Sequence, residues 1–183
     1  MRKDQSSDNR ACIFRISIGI SSCLLGEPVR YDGGHRRNDD ILNALGRRFT
    51  LVPVCPEVEV GMGVPRETLR LIGDPEAPRM VTTQTGVDHT DRMLTFARER
   101  VRQLEAMDLS GYIFKSRSPS CGMEGVEVYS GGGSQSGRGL FARVLMEHFP
   151  DMPVAEERHL SDPALCEAFI KQVLRFHKSK QKG

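Results

Sequence analysis

Short apolar runs too brief to be helices recur along this chain with helical patterns between them, and this alternation restricts the architecture more than any other feature. FRISIGI (14–20) alternates and is rich in β-branched residues, TLVPV (50–54) and GYIFK (111–115) are similar, and a shorter run lies near Pro153 to Ala155. Asp39 and Asp40 introduce a short helix with Ile41, Leu42, Leu45 and Phe49 on one face, and Met93, Ala97, Val101 and Leu104 mark a second helix over 90–107. Leu140, Phe141, Val144 and Leu145 predict a third. A last helix, capped by Ser161 or Asp162, sets Cys166, Ile170 and Leu174 on one face beside Leu165, Phe169 and Val173, so Cys166 reads as core. Strand, helix and strand in succession form a crossover unit. The expected fold class is therefore α/β: a single Rossmann-like domain with a mostly parallel sheet and helices on both faces.

The expected boundaries are a disordered segment 1–12, one domain over 13–176 and a basic tail 177–183, with Cys12 at the frayed margin of the first strand. Pro53 marks the second strand as incompletely paired. Residues 59–86, rich in proline and glycine, read as an insertion with a hairpin formed by Leu69 to Ile72 and Arg79 to Thr82. YSGGGSQSGRG (129–139) reads as a flexible loop, either a plain connector or, because a helix follows, a source of N–H groups for an anion.

With 38% hydrophobic and 27% charged residues in 183, the composition is that of an ordinary soluble globular protein. The start, MRKDQSSDNR, lacks the apolar region of a secretory signal, and no run is long enough to span a membrane, so a cytoplasmic location is expected. A net charge of +2 argues against a nucleic-acid surface. The arginines at 36, 37, 47 and 48 suggest RNA only weakly, because interleaved aromatics are absent and the aromatic content is 6%. Five cysteines, an odd number in a reducing compartment, do not make a disulfide framework.

Three of those cysteines follow the strand-like runs: Cys23, Cys55 and Cys121. If the runs are parallel strands, the thiols meet at the carboxyl edge of the sheet, where open α/β folds place ligands. None belongs to a CxxC pair. Each can be a small buried hydrophobe at a strand end, or the three together can form a metal site with a vacant fourth position, zinc included; spacing alone leaves both readings open. Around them lie Ser22, Glu57, Ser118 and Ser120, groups suited to proton transfer, although Glu57 reads equally as a loop carboxylate bonded to a backbone N–H. Arg30 and Arg66 each present a planar fork that can hold a phosphate or orient a base, or can serve as a salt-bridge partner. Asp32 can bond a base or ribose, or form a turn with Gly33 and Gly34.

In SSCLLGEPVRYDGG, VPVCPEVEVGMGVPRETLRL and GYIFKSRSPSCG, and more loosely in GRGLFARVL, the chain resembles the bacterial TudS-type thiouracil desulfidase family over residues 16 to about 150. The resemblance implies a 4Fe-4S cluster with three cysteine ligands, Cys23, Cys55 and Cys121, and one open iron that binds the sulfur of a thiolated pyrimidine such as 4-thiouracil or its nucleoside or nucleotide. It implies catalytic roles for Glu57 and Ser118; Ser22, Arg30 and Arg66, by their own chemistry and position, are the candidate substrate contacts. The implied reaction is hydrolytic and non-redox: sulfur is replaced by oxygen and sulfide is released. The competing class is a cysteine-based metal-binding or redox-sensing protein without a substrate, which needs no Glu57 and Ser118 beside its metal.

Overall fold

The computed structural model describes residues 16–181, so the expected disordered segment 1–12 and Cys12 lie outside the described residues. The first strand, β1 (Ser17–Ser21), buries Ile18 and Ile20 completely. A 3-10 turn, Ser22–Leu25, follows it. Helix α1 (Asp39–Leu45) starts at Asn38, whose side chain accepts from the Ile41 amide, one residue ahead of the aspartates that announce it. Ile41 and Leu45 enter the core from α1, and Phe49 joins them from beyond its end. The chain then forms β2 (Thr50–Val54), parallel to β1, and the four-residue helix α2 (Pro56–Glu59).

The expected hairpin is present as β3 (Leu69–Asp74) and β4 (Ala77–Thr82), with Leu69 opposite Thr82 and Ile72 opposite Arg79. Helix α3 (Thr90–Ala106) buries Met93, Ala97, Val101 and Leu104, as the 3.6-residue period requires, and leads to β5 (Tyr112–Phe114). β6 (Val126–Ser130) and β7 (Gly133–Gly137) come next, then α4 (Leu140–His148), β8 (Val154–Glu156) and α5 (Pro163–Lys180). Asp162 caps α5 by accepting from the amides of Ala164 and Leu165. The helix continues to Lys180, whose ammonium donates to Asp108 and to the Leu109 carbonyl. Cys166 is buried as expected, but Leu165 and Leu174 face solvent.

One sheet is wholly parallel, in the order β2-β1-β5-β8. Its edge strand β2 tolerates Pro53, which lacks a ladder donor. Helices cover both faces. Ile18, Ile20 and Ile113 pack against Phe169, Ile170 and Val173 of α5 and against α1, while Val54, Tyr112 and Phe114 pack against α3 and α4. Each large side chain buried this way contributes on the order of 1.5–3 kcal/mol.

The architecture is thus mixed α/β, but the single sheet of the sequence expectation is incomplete. A second four-stranded sheet, ordered β4-β3-β6-β7, packs around Met80, Met93, Val128 and Leu140. The supposed loop at 129–139 is largely its outer hairpin. Gly131 and Gly132 both take positive φ, 53° and 94°, and form the two-residue connection that right-twisted strands prefer. The hairpin escaped the sequence pattern because β7 is exposed and polar along most of its length, so it has no apolar alternation to reveal it.

Candidate metal centre

Because β2, β1 and β5 are parallel neighbours, their carboxyl ends lie side by side, and each delivers one cysteine. Cys23 sits in the 3-10 turn after β1, which Gly26 closes at φ 98° in the left-handed region. The Cys23 carbonyl accepts from the Arg36 amide at 2.8 Å. Cys55 follows β2 directly and is the N-cap of α2, with Pro56 at the first helical position and its own amide bonded to the Glu59 carboxylate at 2.8 Å. Arg100 of α3 holds that carboxylate at 2.8 Å. Cys121 lies in the loop after β5, where Ser118 Oγ accepts from the amides of Ser120 (3.2 Å) and Cys121 (3.1 Å).

All three thiols line one cavity of about 1040 Å³. Burial pushes the Cys23 thiol up to about 11, with the neighbouring Cys55 adding to the rise, while Lys115 and Arg30 oppose it. Burial likewise raises Cys55, and raises Cys121 well above the ordinary thiol range with help from Glu57, Cys55 and Cys23. Left to themselves these thiols stay protonated. A cation in their midst reverses that preference, because thiolate rather than thiol is the ligand.

Among the described residues, only Glu124, Glu156 and His159 bring three potential ligand atoms within 4.8 Å of one another, so at least one pair of the cysteine sulfurs stands further apart. A tetrahedral zinc ion with Zn–S bonds of about 2.3 Å needs its sulfurs roughly 3.8 Å apart. The cysteine trio does not present that spacing as it stands. The acidic cluster needs no ion, since Arg158 bonds both Glu156 (2.7 Å) and Glu124 (2.8 Å).

Glu57, in the first turn of α2, is one of the carboxylates that line the same cavity. Its Oε1 accepts from Ser120 Oγ at 2.8 Å and its Oε2 is ion-paired with Arg66. Only 16% of the Glu57 side chain and 9% of the Arg66 side chain are exposed. Arg66 also donates to the carbonyls of Val29 (2.9 Å) and Gly63 (3.1 Å). Its two terminal nitrogens thus hold Glu57 and the loop before Arg30, while its Nε is left without a partner. Arg30 lines the cavity as Arg66 does and, like it, keeps a buried Nε without a hydrogen bond, although Asp32 lies 3.4 Å away; its guanidinium stacks 5.1 Å from the Tyr31 ring centroid. Ser22 is buried on the cavity wall. Asp32 takes the turn role, accepting from the Gly34 amide at 3.0 Å.

Sequence reasoning passed over Lys115, the residue that follows β5. Its ammonium donates to Glu157 (2.6 Å) and to the carbonyl and hydroxyl of Ser116, and it lies on the cavity wall where it draws the Cys23 thiol downward. Glu157 also accepts from the Ser116 amide at 2.6 Å, so the residue just past the far strand β8 anchors the start of the Cys121 loop. The available signal was a lysine placed directly after a fully buried strand.

Comparison with known proteins places the chain in a family. The 2-thiouracil desulfurase family profile matches residues 18–157, a span that includes all three cysteines, Glu57, Arg66 and Ser118. The chain belongs to the 2-thiouracil desulfurase family. A solved structure described as a [4Fe-4S]-dependent thiouracil desulfidase, TudS, is 33% identical, covers 84% of this chain and 97% of its own, and superposes with a TM-score of 0.65. An uncharacterized Bacillus subtilis (strain 168) protein, YbbK, is 29% identical over 153 residues, which is 79% of this chain and 98% of that one. Among the described residues of this desulfurase-family chain, no helix is long and apolar enough to cross a membrane.

Proposed function

We propose that this chain is an iron-sulfur-dependent desulfidase that replaces the sulfur of a thiolated pyrimidine, 4-thiouracil or its nucleoside or nucleotide, by oxygen, with release of sulfide. The observation that carries the reading is the meeting of Cys23, Cys55 and Cys121 on three adjacent parallel strands beside a shielded carboxylate, Glu57, in one cavity. In this reading the three cysteines hold a 4Fe-4S cluster and leave one iron open. Three soft thiolate donors suit it. Lys115 and Arg30 supply positive charge beside the thiolates.

When bound, the cluster supplies a Lewis acid and an acceptor for the departing sulfur. The chain supplies position and protons. Glu57 takes a proton from water as the water oxygen adds to the pyrimidine carbon, and Arg66 and Ser120 keep its carboxylate aimed. Ser118 Oγ accepts two amides, and its own O–H remains to serve the departing sulfur. Arg30 and the buried Ser22 contact the substrate. Arg66 acts on it through Glu57. Water provides the entering oxygen and both protons of hydrogen sulfide, so no electron donor or acceptor takes part.

The test is anaerobic reconstitution followed by sulfide release from 4-thiouracil, 4-thiouridine and 4-thiouridine monophosphate side by side. Release from at least one, with the corresponding oxo product, is expected; release from none overturns the assignment. Glu57→Ala should keep the iron content and visible spectrum while turnover falls by about a hundredfold or more. Full turnover in that variant removes Glu57 from the mechanism.

A further inference from the structure

Glu156, the last residue of β8, is completely buried, although a carboxylate is among the costliest side chains to bury. Its charge is matched by donors on both oxygens. Oε1 accepts the amides of Met123 (2.8 Å) and Glu124 (3.3 Å), and Oε2 accepts Arg158 Nε at 2.7 Å. Met123 and Glu124 form the exit of the loop that carries Ser118, Ser120 and Cys121, while Glu157 grips its entry through the Ser116 amide (2.6 Å) and hydroxyl (2.7 Å). Consecutive carboxylates thus hold the loop at both ends.

Between those ends the backbone is fixed from the side of α4. The amides of Gly139, Leu140 and Ala142 donate to the carbonyls of Gly122, Pro119 and Ser120, and Arg138 Nε donates to the Met123 carbonyl at 3.0 Å. Inside the loop Arg117 takes φ 57°, a left-handed conformation that a residue other than glycine keeps only where its surroundings impose it. The loop is held against a local preference. An apolar side chain at 156 would fill the core without a buried charge to match, so the carboxylate is explained by the loop and not by the core.

We propose that Glu156 is a positioning residue of the metal centre: through the amides of Met123 and Glu124 it sets where Cys121 and Ser118 stand relative to Cys23, Cys55 and Glu57. This inference rests on the cluster reading above. Groups that orient metal ligands from outside the ligand set change affinity by about 10- to 100-fold when they are lost.

Two variants separate reach from charge. Glu156→Gln keeps an oxygen for the two amides and gives up the charge, and Arg158, 40% exposed, retains Glu124 as a partner. Glu156→Asp keeps the charge but is one methylene short. In metal-free protein the Met123 and Glu124 amides should exchange with deuterium slowly in wild type and Glu156→Gln and faster in Glu156→Asp; equal protection in all three overturns the inference. After anaerobic reconstitution, Glu156→Asp should lose iron to a ferrous chelator about 10- to 100-fold faster than wild type and show displaced Fe–S(Cys) bands by resonance Raman, while Glu156→Gln should match wild type in both. An aspartate variant that matches wild type, or a glutamine variant as impaired as the aspartate one, also overturns it. Val173→Ala, a truncation in the α5 core, controls for stability: it should lower Tm and leave iron loss and bands unchanged. The same changes in that variant would assign them to general destabilisation and reject a positioning role. A wild type that binds no iron fails the cluster reading itself, an outcome distinct from the exchange result, which decides whether Glu156 holds the loop.

Discussion

Gly139 joins the Cys121 loop to α4, and Gly139→Ala separates a packing effect from a backbone preference. Its φ of −63° and ψ of 146° are open to any residue, so on conformational grounds alanine should stabilise by about 0.4–1 kcal/mol through the unfolded chain. The contacts oppose this. A Cβ at 139 would lie 2.5 Å from the Ser120 carbonyl oxygen, 2.6 Å from its carbon and 2.9 Å from the Cys121 nitrogen, all main-chain atoms that cannot rotate away. Moving from 2.5 Å to an ordinary contact of 3.4 Å demands a retreat of 0.9 Å. That retreat strains two bonds that tie the loop to α4, Ala142 N–H to Ser120 O and Leu140 N–H to Pro119 O, each 3.0 Å.

Overpacking of this kind costs roughly 1–3 kcal/mol, which outweighs the entropic gain and leaves a net loss of about 1–2 kcal/mol. For a domain of this size that is a fall in Tm of roughly 2–8 °C. Because Cys121 moves with the loop, iron bound per chain after reconstitution should fall as well. Gly133→Ala is the control, since nothing lies within 4 Å of its Cβ position. A Gly139→Ala protein that matches the wild type in both Tm and iron content would refute the argument, because the loop would then be free to give way.

Two further outcomes follow from charges in the same cavity. Arg66→Met leaves the Glu57 carboxylate largely shielded with Ser120 as its remaining partner, and removing one partner of such a pair should cost about 3 kcal/mol by urea titration; adding Glu57→Gln should recover part of that loss, and strictly additive losses would show that the pair is not coupled. In metal-free protein, burial lifts the Cys23 thiol from 9.0 to about 11, so the stability tied to its protonated form is complete below pH 9 and is lost as pH rises toward 11. The two-unit gap corresponds to roughly 2–3 kcal/mol. Urea midpoints from pH 8 to 11 should fall more steeply for wild type than for Cys23→Ala, and equal slopes would exclude the effect.

The strands of the parallel sheet were legible because Ile18, Ile20, Ile113 and their neighbours form short runs that only a buried strand can use. The α3 register was legible for the same reason at a period of 3.6. β7 was not, since a solvated hairpin strand is selected by its turn and its backbone pairing more than by apolar side chains. At the centre, the cysteines and Glu57 stood out by their position after strands. Lys115, Glu59, Arg100 and Glu156 did not, since each matters through a partner elsewhere in the chain: Lys115 through Glu157 and Glu156 through the Met123 amide.

Sequence by itself determined the α/β alternation and the placing of Cys23 and Cys55 just past strands β1 and β2, with Cys121 in the loop after β5, because hydrophobic period and strand length are local properties. Only the tertiary structure decided that β2, β1 and β5 are neighbours and parallel, which converts three distant cysteines into one group. It also decided the second sheet, the shielding of Glu57 by Arg66 and Ser120, and the hold of Glu156 on the loop beyond Cys121. Strand order and burial come from packing between segments far apart in the chain, and it is burial that turns ordinary thiols and carboxylates into groups whose charge depends on their neighbours.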